Sequence, residues 1–160
     1  MAAFRAFGAG LSVAAAVTLL DQWSKWFMVE KVMQPPRVIP VTPFFNLVLG
    51  WNRGVSFGLF NNASPLNDWL LPAVALVIIV VLLVWMGKSK GIMMAASLGL
   101  IIGGALGNVI DRLRHGAVTD FLDFYLGSYH WPAFNLADAA ISVGAVVLIA
   151  DSLFNQPEKN

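Results

Sequence analysis

The sequence predicts an all-α membrane protein: four transmembrane helices with a small β-rich extramembrane segment on the outer face. Three observations predict it. Of 160 residues, 58% are hydrophobic and only 12% charged, against about 45–50% and about 25% in soluble domains. Four apolar runs approach the roughly 20 residues a helix needs to cross a bilayer. The β-prone and polar residues collect in two long connections that crossing parity places on one face. The same low charge, with a net of +1, excludes a disordered chain, a typical cytosolic enzyme and a basic nucleic-acid binder, so no nucleic-acid partner is expected. The absence of cysteine removes disulfides, thiolate metal sites and a Cys nucleophile together.

The expected spans cover about residues 6–27, 69–86, 91–110 and 134–154, all within a single integral-membrane domain over 1–160. The charge-free part of the first run is short, so that span carries Asp21 and Lys25 into the far interface. No small-x-small site follows it, so a span is preferred to a cleavable signal peptide. The second run is rich in Val, Leu and Ile and holds Pro72 in its first turn, where a missing N–H is tolerated. Gly87-Lys88-Ser89-Lys90 is so short a connection that the third run folds back antiparallel. The fourth run ends in the polar stretch Gln156-Pro157-Glu158-Lys159-Asn160. Both termini and the Lys88–Lys90 turn then share one side, and the segments 28–68 and 111–133 share the other. Within the first segment, Arg37–Val41 and Phe44–Trp51 are β-prone and punctuated by Pro and Gly, which suggests a small sheet on the bilayer surface.

Orientation is less plainly written. The termini and short turn hold Arg5, Lys88, Lys90 and Lys159, whereas the other face holds Lys25, Lys31, Arg37, Arg53, Arg112 and Arg114. Counted alone, the positive-inside rule puts the long connections in the cytoplasm.

Asp21 ends the first span, Asp111 ends the third, Asp138 begins the fourth, and Asp120 and Asp123 lie between the last two, so crossing parity puts all five on the face of the long connections. Ionisable residues at membrane depth are costly and mark sites or pathways, although interfacial Asp also serves simply to cap helix ends. Gly99, Gly103 and Gly107 recur every four residues, a stripe that admits a neighbouring helix closely, and Asp111 is its next member. Asn108, Asp111 and Arg112 share that packed side at i, i+3 and i+4, where they are expected to hydrogen-bond one another as a structural clamp or as part of a reactive site. Arg114 and His115 lie outside the stripe and are expected to be solvated. On the fourth run Asn135 and Asp138 are i and i+3, with Ser142 a turn further. Asp21 and Lys25 form an i, i+4 ion pair.

Among reaction chemistries, a zinc peptidase lacks its ligands, since His115 and His130 are the only histidines. A Ser-His-Asp triad fails on the same count. Ser24 and Lys25 are adjacent and diverge on a helix, and Ser56 has no evident Lys partner, so a Ser/Lys dyad is disfavoured. Paired carboxylates remain: two Asp sharing one proton let one activate water while the other donates to the attacked carbonyl. Asp120 and Asp138 are the preferred pair, with Asp123 the rival for the first role. No metal or cofactor is expected. An ion pathway would also gather carboxylates and a Lys among helices, but the middles of the second, third and fourth spans carry no polar track. A purely structural helix-packing protein would suit the glycine stripe.

Five segments in order, Asp21-Gln22-Trp23-Ser24-Lys25, Asn52-Arg53-Gly54-Val55-Ser56-Phe57, Gly107-Asn108-Val109-Ile110-Asp111-Arg112, Gly116-Ala117-Val118-Thr119-Asp120-Phe121 and Phe134-Asn135-Leu136-Ala137-Asp138, resemble the bacterial lipoprotein signal peptidase (signal peptidase II) family. The resemblance covers nearly the whole chain. It implies an intramembrane aspartic endopeptidase that removes the signal peptide from diacylglyceryl-modified prolipoproteins, cutting before the lipidated Cys. It implies Asp120 and Asp138 as the catalytic pair, Asn52, Gly54, Asn108, Arg112 and Asn135 as lining the substrate site, and Asp21, Lys25 and Asp111 as shaping it. Ser56 stands where the family often has Ala. The resemblance further implies a multi-pass protein of the bacterial plasma (inner) membrane, with cytoplasmic termini and the active face outside, against the Lys/Arg count. Its partners would be the prolipoprotein substrates and membrane lipid, and a monomer is expected.

Overall fold

The computed structural model describes residues 1–54 and 65–154. The elements are α1 (Ala2–Phe27), a π-helical turn (Met28–Val32) that extends it, β1 (Ile39–Thr42), β2 (Phe45–Asn52), α2 (Pro65–Lys88), α3 (Ile92–His115), β3 (Val118–Leu126), β4 (Tyr129–His130) and α4 (Leu136–Phe154). The segments Ala2–Val32, Trp69–Lys88, Ile92–His115 and Leu136–Phe154 are each long and apolar enough to cross a membrane. The polar tail and the Val55-Ser56-Phe57 part of the second motif lie outside the described residues.

Small residues decide how the helices pack. α3 is the buried helix and offers glycine on two sides. A Cβ at Gly99 would run into the carbonyl of Gly10, one at Gly103 into that of Ala14, and one at Gly107 into the Asp21 carboxylate, so α1 lies directly on this stripe. Thr18 Oγ1 donates across the contact to Gly103 O at 3.0 Å. On the other side a Cβ at Gly104 would meet the Ala137 carbonyl, and one at Gly144 the Ser97 carbonyl, which seats α4. Ile79 and Met86 bring α2 onto a core shared with Ala6, Ala14, Ala95, Leu98 and Ile102. Its opposite face leaves Val77, Val80, Val81 and Val84 exposed, as a lipid-facing helix requires.

α3 runs past the expected end of its span, through Asp111 and Arg112 to His115, and stops at Gly116, whose φ of 67° is left-handed and whose N–H returns to Arg112 O at 2.9 Å. Arg112, Arg114 and His115 in that last turn complement the negative helix end.

The small sheet expected from the first connection is present but incomplete without the second. Its order is β1-β2-β3-β4, antiparallel throughout. β2 pairs with β3 so that Gly50 faces Asp120 and Asn46 faces Asp123, with an irregularity between Leu47 and Gly50. Met28, Met33 and Phe121, with Ile39, Leu47 and Leu122 against them, form a second core between the π-helical turn and the sheet.

Candidate active site

The base of the site is laid where α1 crosses α3. Asp21 and Lys25 lie one turn apart on α1, and the Lys25 ammonium reaches Asp21 Oδ2 at 2.8 Å and Asp111 Oδ2 at 3.1 Å. Its remaining hydrogen bond goes to Asn108 Oδ1 at 3.0 Å, so all three ammonium donors are used. Gln22 donates to Asp111 Oδ1 at 2.9 Å and to Gly107 O at 3.1 Å. The Thr119 N–H donates to Asp111 Oδ2 at 2.9 Å, which ties the start of β3 to the end of α3. Asp21, Lys25 and Asp111 are all buried, and buried charges persist only when paired and hydrogen-bonded in this way.

α4 begins against that base. Asn135 is its N-cap: Oδ1 accepts from the Asp138 N–H at 3.0 Å, and Asp138 Oδ2 reaches back to the Asn135 N–H at 3.4 Å, a reciprocal capping box with Asp at its third position. Asp21 Oδ1 accepts from the Ala137 N–H at 3.0 Å, so the first helix satisfies another free donor of the last. Asp138 stands half-buried at a positive helix end.

β3 brings the second carboxylate. Asp120 is 4% exposed, and its oxygens accept from Asn135 Nδ2 at 2.7 Å and Asn52 Nδ2 at 3.1 Å. Asn108 Nδ2 donates to Asp138 Oδ1 at 2.8 Å. Three asparagines from three elements thus hold two carboxylates, and each amide has its carbonyl engaged elsewhere. The Asn52 carbonyl accepts from the Gly54 N–H at 3.0 Å, that of Asn108 from Lys25, and that of Asn135 from the Asp138 N–H. With its oxygen occupied, each amide turns its NH₂ toward an acid. Burial and the neighbouring Asp138 charge raise Asp120 to about 7, against the opposing hydrogen bonds of Asn52 and Asn135. A carboxyl that keeps its proton near neutrality beside a second carboxyl is equipped for acid/base work.

The sequence-predicted site residues Asp21, Lys25, Asn52, Asn108, Asp111, Asp120, Asn135 and Asp138 are therefore brought into one continuous network. Gly54 joins through its backbone: its carbonyl accepts from Arg112 Nη2 at 2.8 Å. The expectation that Asn108, Asp111 and Arg112 bond one another needs correction. They share a helix side, but Asn108 turns to α4, Asp111 to α1 and β3, and Arg112 to Gly54, because each meets a different neighbour at its own height on α3. Asp123 is not brought to Asp138. Three positions along a strand from Asp120 it faces the other way, where it bonds Asn46 Nδ2 at 2.9 Å and His130 Nδ1 at 2.9 Å. Burial pushes its carboxyl up, but these hydrogen bonds outweigh that and hold it below the ordinary carboxylate value. Ser142 is exposed on α4, as are Arg114 and His115 on α3.

Sequence reading missed Gln22 and Asn46. Gln22 stood beside Asp21 in a quoted motif, and its polarity within an apolar run was the available signal. Asn46 carried none, since its partner depends on the β2–β3 register. Among the described residues no group of three His, Asp or Glu is placed to hold a metal ion.

Known proteins resemble this chain over most of its length. Residues 13–154 match the family model described as signal peptidase (SPase) II. The lipoprotein signal peptidase of Alteromonas mediterranea is 45% identical over 94% of this chain and 83% of its own length. That of Methylorubrum extorquens is 47% identical over 95% and 90%, and that of Paraburkholderia phytofirmans 50% identical over 89% and 83%. A bacterial membrane enzyme solved by the in meso method at 2.3 Å resolution superposes with a TM-score of 0.82 at 28% identity, over 96% of this chain and 94% of that one. Four apolar helices, a small sheet across their ends and these matches together make the chain a multi-pass membrane peptidase that belongs to the signal peptidase II family.

Proposed function

We propose that this protein is an aspartic endopeptidase of the bacterial plasma membrane that removes the signal peptide from diacylglyceryl-modified prolipoproteins, cutting just before the lipidated Cys. The observation that carries the reading is the double use of Asn135: one side chain caps the helix that bears Asp138 and donates at 2.7 Å to Asp120, so the two carboxylates are set against each other by a single amide.

In the mechanism, Asp138 is the base and Asp120 the acid. Asp138 sits in the first turn of α4 and accepts from the Asn108 amide N–H, while buried Asp120 holds the proton. Asp138 takes a proton from water as the water oxygen adds to the scissile carbonyl carbon, and Asp120 gives its proton to the carbonyl oxygen. The resulting gem-diol collapses: the C–N bond breaks, Asp138 returns a proton to the leaving amine, and a diol hydroxyl restores the proton of Asp120. The gap between the helix bundle and the sheet takes an extended peptide whose acyl chains remain in lipid. Asn52, Gly54 and Arg112 line it from the sheet side. Lys25, Asp21 and Asp111 shape it from below.

On this reading both termini are cytoplasmic and the site faces outside; of the six Lys and Arg on that face, Lys25 and Arg112 are held in the site network, and Lys31, Arg37, Arg53 and Arg114 are exposed. The test is incubation of the purified protein with a diacylglyceryl-modified precursor, locating the cut by mass. Cleavage immediately before the modified Cys is expected. Asp120→Asn and Asp138→Asn are each expected to insert and fold normally yet lose at least about 10²-fold in rate, the lower range for general acid/base catalysis. Full activity in either variant rules the pair out.

A further inference from the structure

The β3–β4 hairpin extends beyond anything the site requires, and we propose that its apolar tip is a membrane anchor, seated at the headgroup boundary of the leaflet on the site's side of the bilayer. The path of β3 carries the argument. At Thr119 the strand is tied to Asp111 on α3, and at Leu122 it is bridged to Phe134, the residue before the α4 N-cap. Three residues of strand cover about 10 Å, the spacing of two packed helices. β3 therefore crosses the ends of α3 and α4. It then runs on for four residues to Leu126, about 13 Å past the bundle. Because Phe134 directly precedes the α4 N-cap, the strand leaves the bundle at the level where α4 begins, and its overhang past α4 lies above lipid.

The chemistry of the tip suits that place. Gly127, at φ 61°, and Ser128 make a two-residue turn between the paired Leu126 and Tyr129. Leu126 is 84% and Tyr129 68% exposed, and with Phe44, Phe124, Tyr125 and Trp131 they line one shallow apolar concavity. No Asp, Glu, Lys or Arg occurs from Phe124 to Phe134. Exposed apolar patches mark interaction surfaces, and Trp and Tyr collect where one end of the ring is apolar and the other wet. The adjoining bilayer supplies both.

Because the chain has no Cys, Leu126→Cys in the full-length protein takes a single spin label. In liposomes of phosphatidylethanolamine and phosphatidylglycerol, the label is expected to collide several-fold more often with oxygen than with a water-soluble nickel chelate. Adding Tyr129→Asp is expected to shift that ratio toward the aqueous value. Nickel accessibility equal to that of a fully hydrated label would overturn the proposal. So would spin–spin broadening that grows with the protein-to-lipid ratio, which would assign the patch to a second copy. No shift on adding Tyr129→Asp would show that the aromatic rim does not hold the tip.

Discussion

An asparagine side chain has a donor end and an acceptor end of nearly equal size, so its usefulness beside a carboxylate depends on what holds the other end. In this protein the answers are a backbone turn at Gly54, the charge of Lys25 and the first turn of α4. Two predictions follow from that wiring. Under the proposed mechanism Asp120, raised to about 7, must be protonated to work, so kcat/KM is expected to fall as pH rises through about 7. Asn52 stabilises the ionised form through its 3.1 Å hydrogen bond. Asn52→Ala removes that stabilisation, raises the Asp120 value and moves the alkaline limb of a pH–rate profile upward; an unmoved limb would show that Asp120 is not the titrating acid. Lys25→Met leaves two buried carboxylates, Asp21 and Asp111, without their cation, a loss of about 3–5 kcal/mol by analogy with broken buried pairs. It also frees the Asn108 carbonyl to turn toward Asp138. Unfolding in detergent is expected at clearly lower temperature, together with reduced kcat.

Helices and strands contribute differently to the site, and they were unequally legible. Half of the α1–α3 contact was legible from spacing: Gly99, Gly103, Gly107 and Asp111 repeat every four residues and mark a face open to a neighbouring helix, and Asp21 and Lys25 are one turn apart, but nothing in the spacing named α1 as that neighbour. What could not be read was β3. Val118–Leu126 has no turn or alternation strong enough to mark a strand, and its partner β2 lies on the far side of α2 and α3 in sequence. Pairing between such distant segments leaves no local trace, which is why Asp123 stood as a rival to Asp120 until alternation along the strand turned it away. The capping box was half legible: Asn135 and Asp138 had the right spacing, but the single asparagine proved to serve both the cap and the site. Gly103→Ile is expected to force α1 off α3, since even a methyl at that position meets the Ala14 carbonyl and the Val17 side chain. Overpacking of this kind costs about 1–3 kcal/mol or more. Activity should fall with it, because Asp21 and Lys25 ride on the displaced helix. A variant with unchanged thermal stability would contradict the close packing.

Taken whole, the molecule puts its chemistry at the boundary where helix ends, sheet and lipid meet, and selectivity follows from that location. A substrate bearing acyl chains is already confined to the plane in which the site lies. Each methylene held in lipid is worth about 0.8 kcal/mol, so about two methylenes correspond to a tenfold change in occupancy. Under the proposed function an unlipidated precursor is expected to be cleaved at least about 10²-fold less efficiently in kcat/KM; equal efficiency would mean that the peptide alone is recognised.

The hydrogen bond from the Ala137 N–H to Asp21 joins the first helix to the last, and this has a bearing on biogenesis. Asp138 and Asn135 arrive only with the final span, and until they do Asp120 lacks its 2.7 Å donor and its companion acid. Under the proposed mechanism a chain whose fourth span has not yet inserted therefore has no catalytic pair, and hydrolytic competence begins only when α4 is capped by α1.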